Sequence, residues 1–145
     1  MSLLSALSVS ASGMSAQRTR TELLVENIAN SETTRTAEGG PYRRKDAVFT
    51  STPVPSAFSS ALDEQLNSSL MGVSVSGVSV DNREPERRYM PGHPDADKDG
   101  YVALPRVNPA EDMVDLMSAS RGYQANVSAI SAIKDMIQRS IDILR

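Results

Sequence analysis

The residues that come nearest to a reaction or a ligand site lie in "DADKDG", residues 95–100. Asp95, Asp97, Asp99 and Gly100 match the first, third, fifth and sixth positions of a calcium-binding loop, whose twelfth position is a bidentate glutamate. Here that position is Arg106, preceded by Pro105, and the flanks carry no helix pair of EF-hand type. The stretch therefore reads first as a solvated turn, with a calcium-responsive binding module built on Asp95–Asp99 as the alternative. His93 is the only histidine, set among Pro91, Gly92 and Pro94, so a two-histidine mechanism or a histidine-rich metal site is excluded. Serines abound, but no G-x-S-x-G elbow is present, and neither is a glycine-rich phosphate loop. Cysteine is absent, which removes disulfides, thiol catalysis and cysteine-ligated metals. The expectation is a protein without a reaction and without a cofactor.

The elements around these residues follow from apolar periodicity. Alternating steps of three and four from Leu4 reach Leu7, Ala11, Met14, Arg18, Thr21, Val25 and Ile28, a heptad seam that predicts a helix over residues 2–30. Asn27, Asn30, Ser31, Thr33 and Thr34 end it, because such side chains compete with helical backbone and favour caps and turns. The second helix has a stronger start: Asn108 as N-cap, Pro109 at the first helical position and Glu111 completing a capping box. From Met113 the same rhythm gives Leu116, Ser120, Tyr123, Val127, Ile130, Lys134, Ile137, Ile141 and Leu144. That helix runs from Pro109 nearly to Arg145, about 50 Å at ~1.5 Å per residue. Arg18 and Lys134 place charges on the two seams, where each either fixes register or snorkels to solvent.

The fold class expected is mainly α with a small β-rich insert, the two terminal heptad helices paired antiparallel as a coiled coil. The parts are residues 1–34, residues 35–107 and residues 108–145. In the insert, Gly39, Gly40 and Pro41 break the chain before a short strand at Ala47–Phe49. Residues 50–69 are rich in serine and proline, with at most a short helix near Ala57–Leu66. "VSVSGVSV" alternates as a strand, but its valines fall at 73 and 75 and then at 78 and 80, so the parity slips at Gly77 and a β-bulge is expected there. The runs "YRRK" at 42–45 and "REPERR" at 83–88 read as solvated charged faces, with salt bridges between subunits as the rival.

Composition sets the scale. A chain of 145 residues and 15.6 kDa with only six aromatic residues has thin filling for a compact core. Fifteen basic against 18 acidic residues give a net charge of -3, so no overall field draws it to nucleic acid or an anionic membrane. No run reaches the ~18 apolar residues of a membrane span, and the N-terminal stretch lacks the basic start of a signal peptide. Fourteen apolar seam positions at ~1.5–3 kcal/mol each do not offset the ordering of some sixty helical residues at ~1–2 kcal/mol apiece. Further helices from other subunits are therefore expected on the outer faces, where Ala6, Ala16, Ala29, Ala119, Ala125, Ala129 and Ala132 allow close approach.

"LLVENIANSETT" resembles the NIAN signature of bacterial flagellar rod and hook proteins, carried by Asn27, Ile28, Ala29, Asn30 and Thr33. "DLMSASRGYQAN" is similar to the C-terminal helix motif of the same axial family, with Arg121, Tyr123, Ala125 and Asn126 at its signature positions. His93, Pro94, Ala96, Gly100, Tyr101 and Val102 match a further motif, and the chain as a whole resembles proximal-rod members more than distal-rod or hook members. Arg106 stands where the family tends to have asparagine, and residues 51–72 follow no signature. The resemblance implies a structural subunit of the flagellar basal body, or else another axial subunit, within a rod that crosses the periplasm as a drive-shaft to the hook. It implies synthesis in the cytoplasm and export by the flagellar type III apparatus without a cleaved signal, with terminal helices that order on assembly. The implied partners are other rod subunits, the basal-body ring or adaptor, and copies of itself, with no nucleic acid. The seam residues and Asn27, Asn30, Arg121, Tyr123 and Asn126 are the expected assembly positions.

Overall fold

The computed structural model describes residues 3–54 and 70–143. The expected short helix near Ala57–Leu66, and Leu144, lie outside the described residues. Two long helices dominate: α1, Leu3–Ala29, and α2, Pro109–Ile143, of 27 and 35 residues. Between them lie four strands, β1 Lys45–Pro53, β2 Met71–Val80, β3 Glu86–Tyr89 and β4 Tyr101–Leu104. They pair as two antiparallel hairpins, β1–β2 and β3–β4.

The helices end where their chemistry says. Asn108 Oδ1 accepts from Ala110 N and its carbonyl accepts from Asp112 N, while Glu111 and Asp112 put negative charge in the first turn of α2, against the positive end of the helix dipole. At the end of α1, Asn30 Nδ2 donates to the carbonyl of Glu26 and Ser31 Oγ to that of Ile28, satisfying two of the last carbonyls.

The two helices pack antiparallel, since Gly13 faces Asn126, Gln17 faces Gly122, and Arg20 reaches Asp115. The faces in contact are not the predicted seams. On α1 the contact line runs through Gly13, Gln17, Arg20, Leu24 and Asn27, and on α2 through Asp112, Asp115, Ala119, Gly122, Asn126 and Ile133. Each is the predicted stripe displaced by one residue, a turn of about 100° around the helix axis. Apart from Leu24 and Ile133, the displaced faces are lined by glycine, alanine and polar groups, and the glycines make room for side chains of the other helix: a Cβ at Gly13 would lie 3.0 Å from Asn126 Nδ2, which donates to the carbonyl of Gly122, and one at Gly122 would meet the Gln17 side chain. The other large aliphatic side chains of the two helices are left beside or outside the contact. Buried apolar residues on the helices are few, namely Ala16, Leu24, Ala119 and Ile133.

The bulge expected at Gly77 is present. Val48 pairs with Gly77 and Phe49 with Val75, leaving Ser76 as the extra residue on β2. The extra residue corrects the parity slip. Val73, Val75, Val78 and Val80 all stand opposite alternate β1 residues (Ser51, Phe49, Ala47 and Lys45) and so share one face of the ribbon. The ribbon lies along α1, where Ser12 Oγ accepts from Val73 N and sits 2.9 Å from where a Cβ of Gly72 would be.

The second hairpin gives the charged run at residues 83–88 a backbone: it stays exposed, as a solvated face, but its second half is a strand. Arg87 and Arg88 belong to β3, paired with Ala103 and Val102. Val102 is buried, and Tyr89 meets Tyr101 edge-on at 5.4 Å between centroids. The DADKDG stretch is the turn of this hairpin. Asp97 Oδ1 accepts from Asp99 N at 3.0 Å and Tyr101 N at 2.9 Å, and Gly100 holds φ +81 with Tyr89 packed where a Cβ would project. Asp95 Oδ2 accepts from Thr34 Oγ1 at 2.7 Å. The Asp95 and Asp97 carboxylates are thus engaged with the chain itself, which gives the loop a structural role as a turn.

Candidate functional site

Two features of the molecule bear on function: a buried polar joint where α1, α2 and the insert meet, and the large side chains the helices turn outward. Asn27 is at the centre of the joint and fully buried. Its Nδ2 donates to the carbonyl of Lys45 at 2.9 Å, and its Oδ1 accepts from Lys45 N at 3.0 Å and from the hydroxyl of Tyr42 at 2.9 Å. The side-chain amide thus pairs with Lys45 as a neighbouring strand would, at the first residue of β1. Asn30 acts on the turn that follows. Besides its bond to Glu26, its Oδ1 accepts from Thr33 Oγ1, and the carbonyl of Thr33 accepts from Tyr42 N. The turn after α1 is folded onto the insert by these bonds.

Arg44 ties the same segment to α2. Its Nη2 lies 3.0 Å from Asp112 Oδ1, 3.4 Å from Asp46 and 3.9 Å from Asp115, while Arg20 of α1 takes the other side of Asp115 at 3.1 Å. Asp112 is fully buried, yet neither carboxylate oxygen nor Arg44 Nε has a directed hydrogen-bond partner, so charge attraction alone holds the contact. Burial pushes the Asp112 carboxyl above the usual carboxylate range, opposed by Arg44 and helped by Asp46, Asp115 and Glu111. The "YRRK" run is therefore not a solvated face: Tyr42 and Arg44 point inward.

Tyr42 shows how dry the joint is. Burial first, and then the charges of Glu26, Asp112 and Asp46, push its hydroxyl up to about 12. Between pH 10 and 12 an unfolded chain releases this proton and the folded chain does not, so the unfolded state binds fewer protons and stability falls as pH rises. The expected loss is ~2–3 kcal/mol across that window. Tyr42→Phe removes that component of alkaline unfolding, and urea titrations at pH 9 and 11 on both proteins check it.

The predicted assembly residues divide by position. Leu4, Val25, Met113, Tyr123, Val127 and Ile141 face outward, with Leu4 71% and Met113 and Ile141 each 54% exposed. Leu7, Met14, Ile28, Leu116, Ile130 and Ile137 are half-buried along the flanks of the contact. Asn126 is half-buried against Gly13, Arg121 is exposed, and the charges expected on the seam turn outward too, Arg18 pairing with Glu22 of its own helix and Lys134 standing exposed. Only Asn27 and Asn126 of the predicted set lie in the contact line. Sequence reading missed Tyr42, Arg44 and Asp112; the available signal was a second acidic residue, Asp112, directly after the capping glutamate. Among the described residues, no group of acidic, histidine or cysteine side chains is arranged to hold a metal ion, and no helix is long and apolar enough to cross a membrane.

Comparison with known proteins bears on the whole chain. The family described as flagellar basal body rod FlgEFG protein C-terminal matches residues 98–143, which span β4 and α2. The flagellar basal-body rod protein FlgC of Borreliella burgdorferi is 39% identical, over 100% of this chain and 99% of its own length. The protein of that name from Bacillus subtilis is 40% identical over 99% of both chains, and that from Salmonella typhimurium 33% over 99% and 98%. The likeness thus runs through the NIAN turn, both hairpins and the whole of α2, and the chain belongs to the family of flagellar basal-body rod proteins FlgC.

Proposed function

We propose that the chain is a structural subunit of the flagellar rod in the basal body that builds the rod wall with its two helices and carries no catalytic activity. The observation that carries this reading is the outward turn of the apolar stripes on both helices. Val25 on α1 and Met113, Met117, Tyr123, Val127, Met136 and Ile141 on α2 stand 39–54% exposed in a single chain, large apolar side chains that the chain itself leaves uncovered. The intrachain contact uses the small and polar faces, which frees the aliphatic faces for other helices. Coiled-coil packing in the heptad sense would then form between subunits and not within one. The inner contact, with its few buried apolar residues, gives a reason for terminal helices that become fully ordered only on assembly.

Family likeness supports the remaining parts of the reading. Residues 1–34 and 108–145 form the axial unit, and residues 35–107 lie beside it, held by the Asn27 and Arg44 joint. Repeated subunits meeting through different patches give an open helical tube, suited to carrying torque across the periplasm. The partners are other rod subunits, copies of the chain, the basal-body ring and the type III export apparatus.

Val127→Asp and Ile141→Asp test the reading without touching the inner contact. Each is expected to leave the circular dichroism of the purified chain unchanged and to abolish swimming when it replaces the wild-type gene, with the protein missing from purified basal bodies. Full swimming by both variants would remove the outward stripe from the assembly.

A further inference from the structure

Charge is not spread evenly along the molecule. Among the described residues, the half of the helix pair far from the joint, residues 3–17 and 116–143, carries Arg121, Lys134 and Arg139 against Asp135 and Asp142, a formal +1. The remainder, residues 18–54 and 70–115, which keeps the Arg18–Glu22 and Arg20–Asp115 pairs whole, carries eleven basic against fourteen acidic residues, a formal -3. Arg121, Lys134 and Arg139 are exposed on α2 and take part in no ion pair with any described residue.

At the acidic end a groove of about 310 Å³ opens between the turn after α1, the β3–β4 hairpin and the start of α2. Met90, Leu104 and Val107 give it an apolar lining, and Glu32 and Glu86 stand among its walls. Arg88 and His93 also line it, but Arg88 is within 3.8 Å of Glu86 and His93 Nδ1 accepts from Asp95 N, so both already have partners. Glu32 has none among the described residues. An apolar trough beside a free carboxylate fits a long cationic side chain, whose methylene stem covers carbon while its head meets the acid.

We propose that this groove is the socket for a basic side chain of α2, Arg121, Lys134 or Arg139, from a second copy of the same chain, so that the positive end of one copy sets on the negative end of the next. This rests on the rod reading above and specifies one contact within it. The socket and the plug are different patches on the same surface, so the contact is heterologous and propagates along an open polymer without closing. The opposite charges also orient the approach of an arriving copy, an effect that weakens with added salt.

The absence of cysteine from the chain makes the test clean. Ser31→Cys beside the socket is expressed in the same cells as Ser118→Cys, Ser131→Cys or Asp135→Cys, each one turn before one of the three basic residues and none removing them. Basal bodies are treated with a short bis-maleimide. The expected result is a product of two-chain mass with at least one pairing, absent when either cysteine variant is expressed alone, and lost when Glu32→Lys is added to the Ser31→Cys chain. Three outcomes overturn the proposal: no product with any pairing although both chains are present in basal bodies, a product containing a different protein, or a product from Ser31→Cys alone. Absence of the cysteine variants and of the wild-type chain alike from basal bodies would instead count against the rod reading itself.

Discussion

Asn27→Leu is expected to unfasten the insert from the helix pair and to abolish rod assembly. The leucine has nearly the shape of asparagine but supplies no polar atom, so the carbonyl and N–H of Lys45 and the hydroxyl of Tyr42 lose their shared partner together. Each buried polar group left unpaired costs ~1–3 kcal/mol, and three at once approach the ~5–15 kcal/mol that holds an ordinary domain. Asn27→Asp separates geometry from polarity. It keeps an acceptor for Tyr42 and Lys45 N but turns a carboxylate oxygen toward the Lys45 carbonyl, where the native amide donated, and burial makes that charge costly. Hydrogen exchange at Lys45 and its β1 neighbours is the direct measure. Protection of these amides drops in both variants, with secretion into the medium retained and swimming lost. Wild-type protection at Lys45 in Asn27→Leu would mean that the amide does not hold the strand.

Arg44→Met is expected to be the second large effect, and its sign depends on pH. With the guanidinium gone, Asp112 is a fully buried carboxylate without a counter-ion, and breaking such a pair costs ~3–5 kcal/mol. Asp112 already has a raised folded-state pKa, and removing Arg44, the one cation that lowers it, raises it further. A carboxyl whose folded pKa lies above its unfolded value binds its proton more tightly in the native state. It supports folding below the unfolded value of ~4, and that support is lost as pH rises through the folded pKa. The variant should therefore be weak at pH 7 and recover as the medium is made mildly acidic, a trend absent from the double variant Arg44→Met, Asp112→Asn. Urea midpoints at pH 5 and 7 decide it. Equal destabilisation of the single and double variants at pH 7 would show that packing of the arginine stem, and not its charge, matters at the joint. The comparison stays above pH 4 because Asp81, whose carboxyl Arg83 holds at about 2, stays ionised there in both states.

Both effects arise from residues that only a three-dimensional view brings together. Asn27 is legible as a signature position, but its partner Lys45 lies eighteen residues on, and nothing local says that a helix-terminal amide will stand in for a strand. Arg44 and Asp112 are farther apart still in sequence, and in isolation each looks like an ordinary surface charge.

The amino-acid sequence by itself determined the elements. Apolar periodicity and caps placed α1 and α2 within a residue or two, because helix formation is governed by local propensity and by the polar groups at each end. The valine parity slip located the β-bulge, because strand side chains alternate strictly and an extra residue is the way to restore a common face. Two motifs at opposite ends of the chain identified the axial family. What only the tertiary structure decided is the face each helix gives to the other. Periodicity reports that an apolar stripe will be buried somewhere, and it is silent on whether the burying surface belongs to the same chain. Here Gly13 and Gly122 make room for the polar side chains of Asn126 and Gln17, Ala16 and Ala119 are buried small residues, and the polar joint at Asn27, Arg44 and Asp112 ties this rotation to the insert. The intrachain contact therefore falls one residue, about 100°, from the apolar stripes. A turn of that size is invisible to a pattern count, yet it is what leaves the aliphatic faces of a single subunit open to its neighbours.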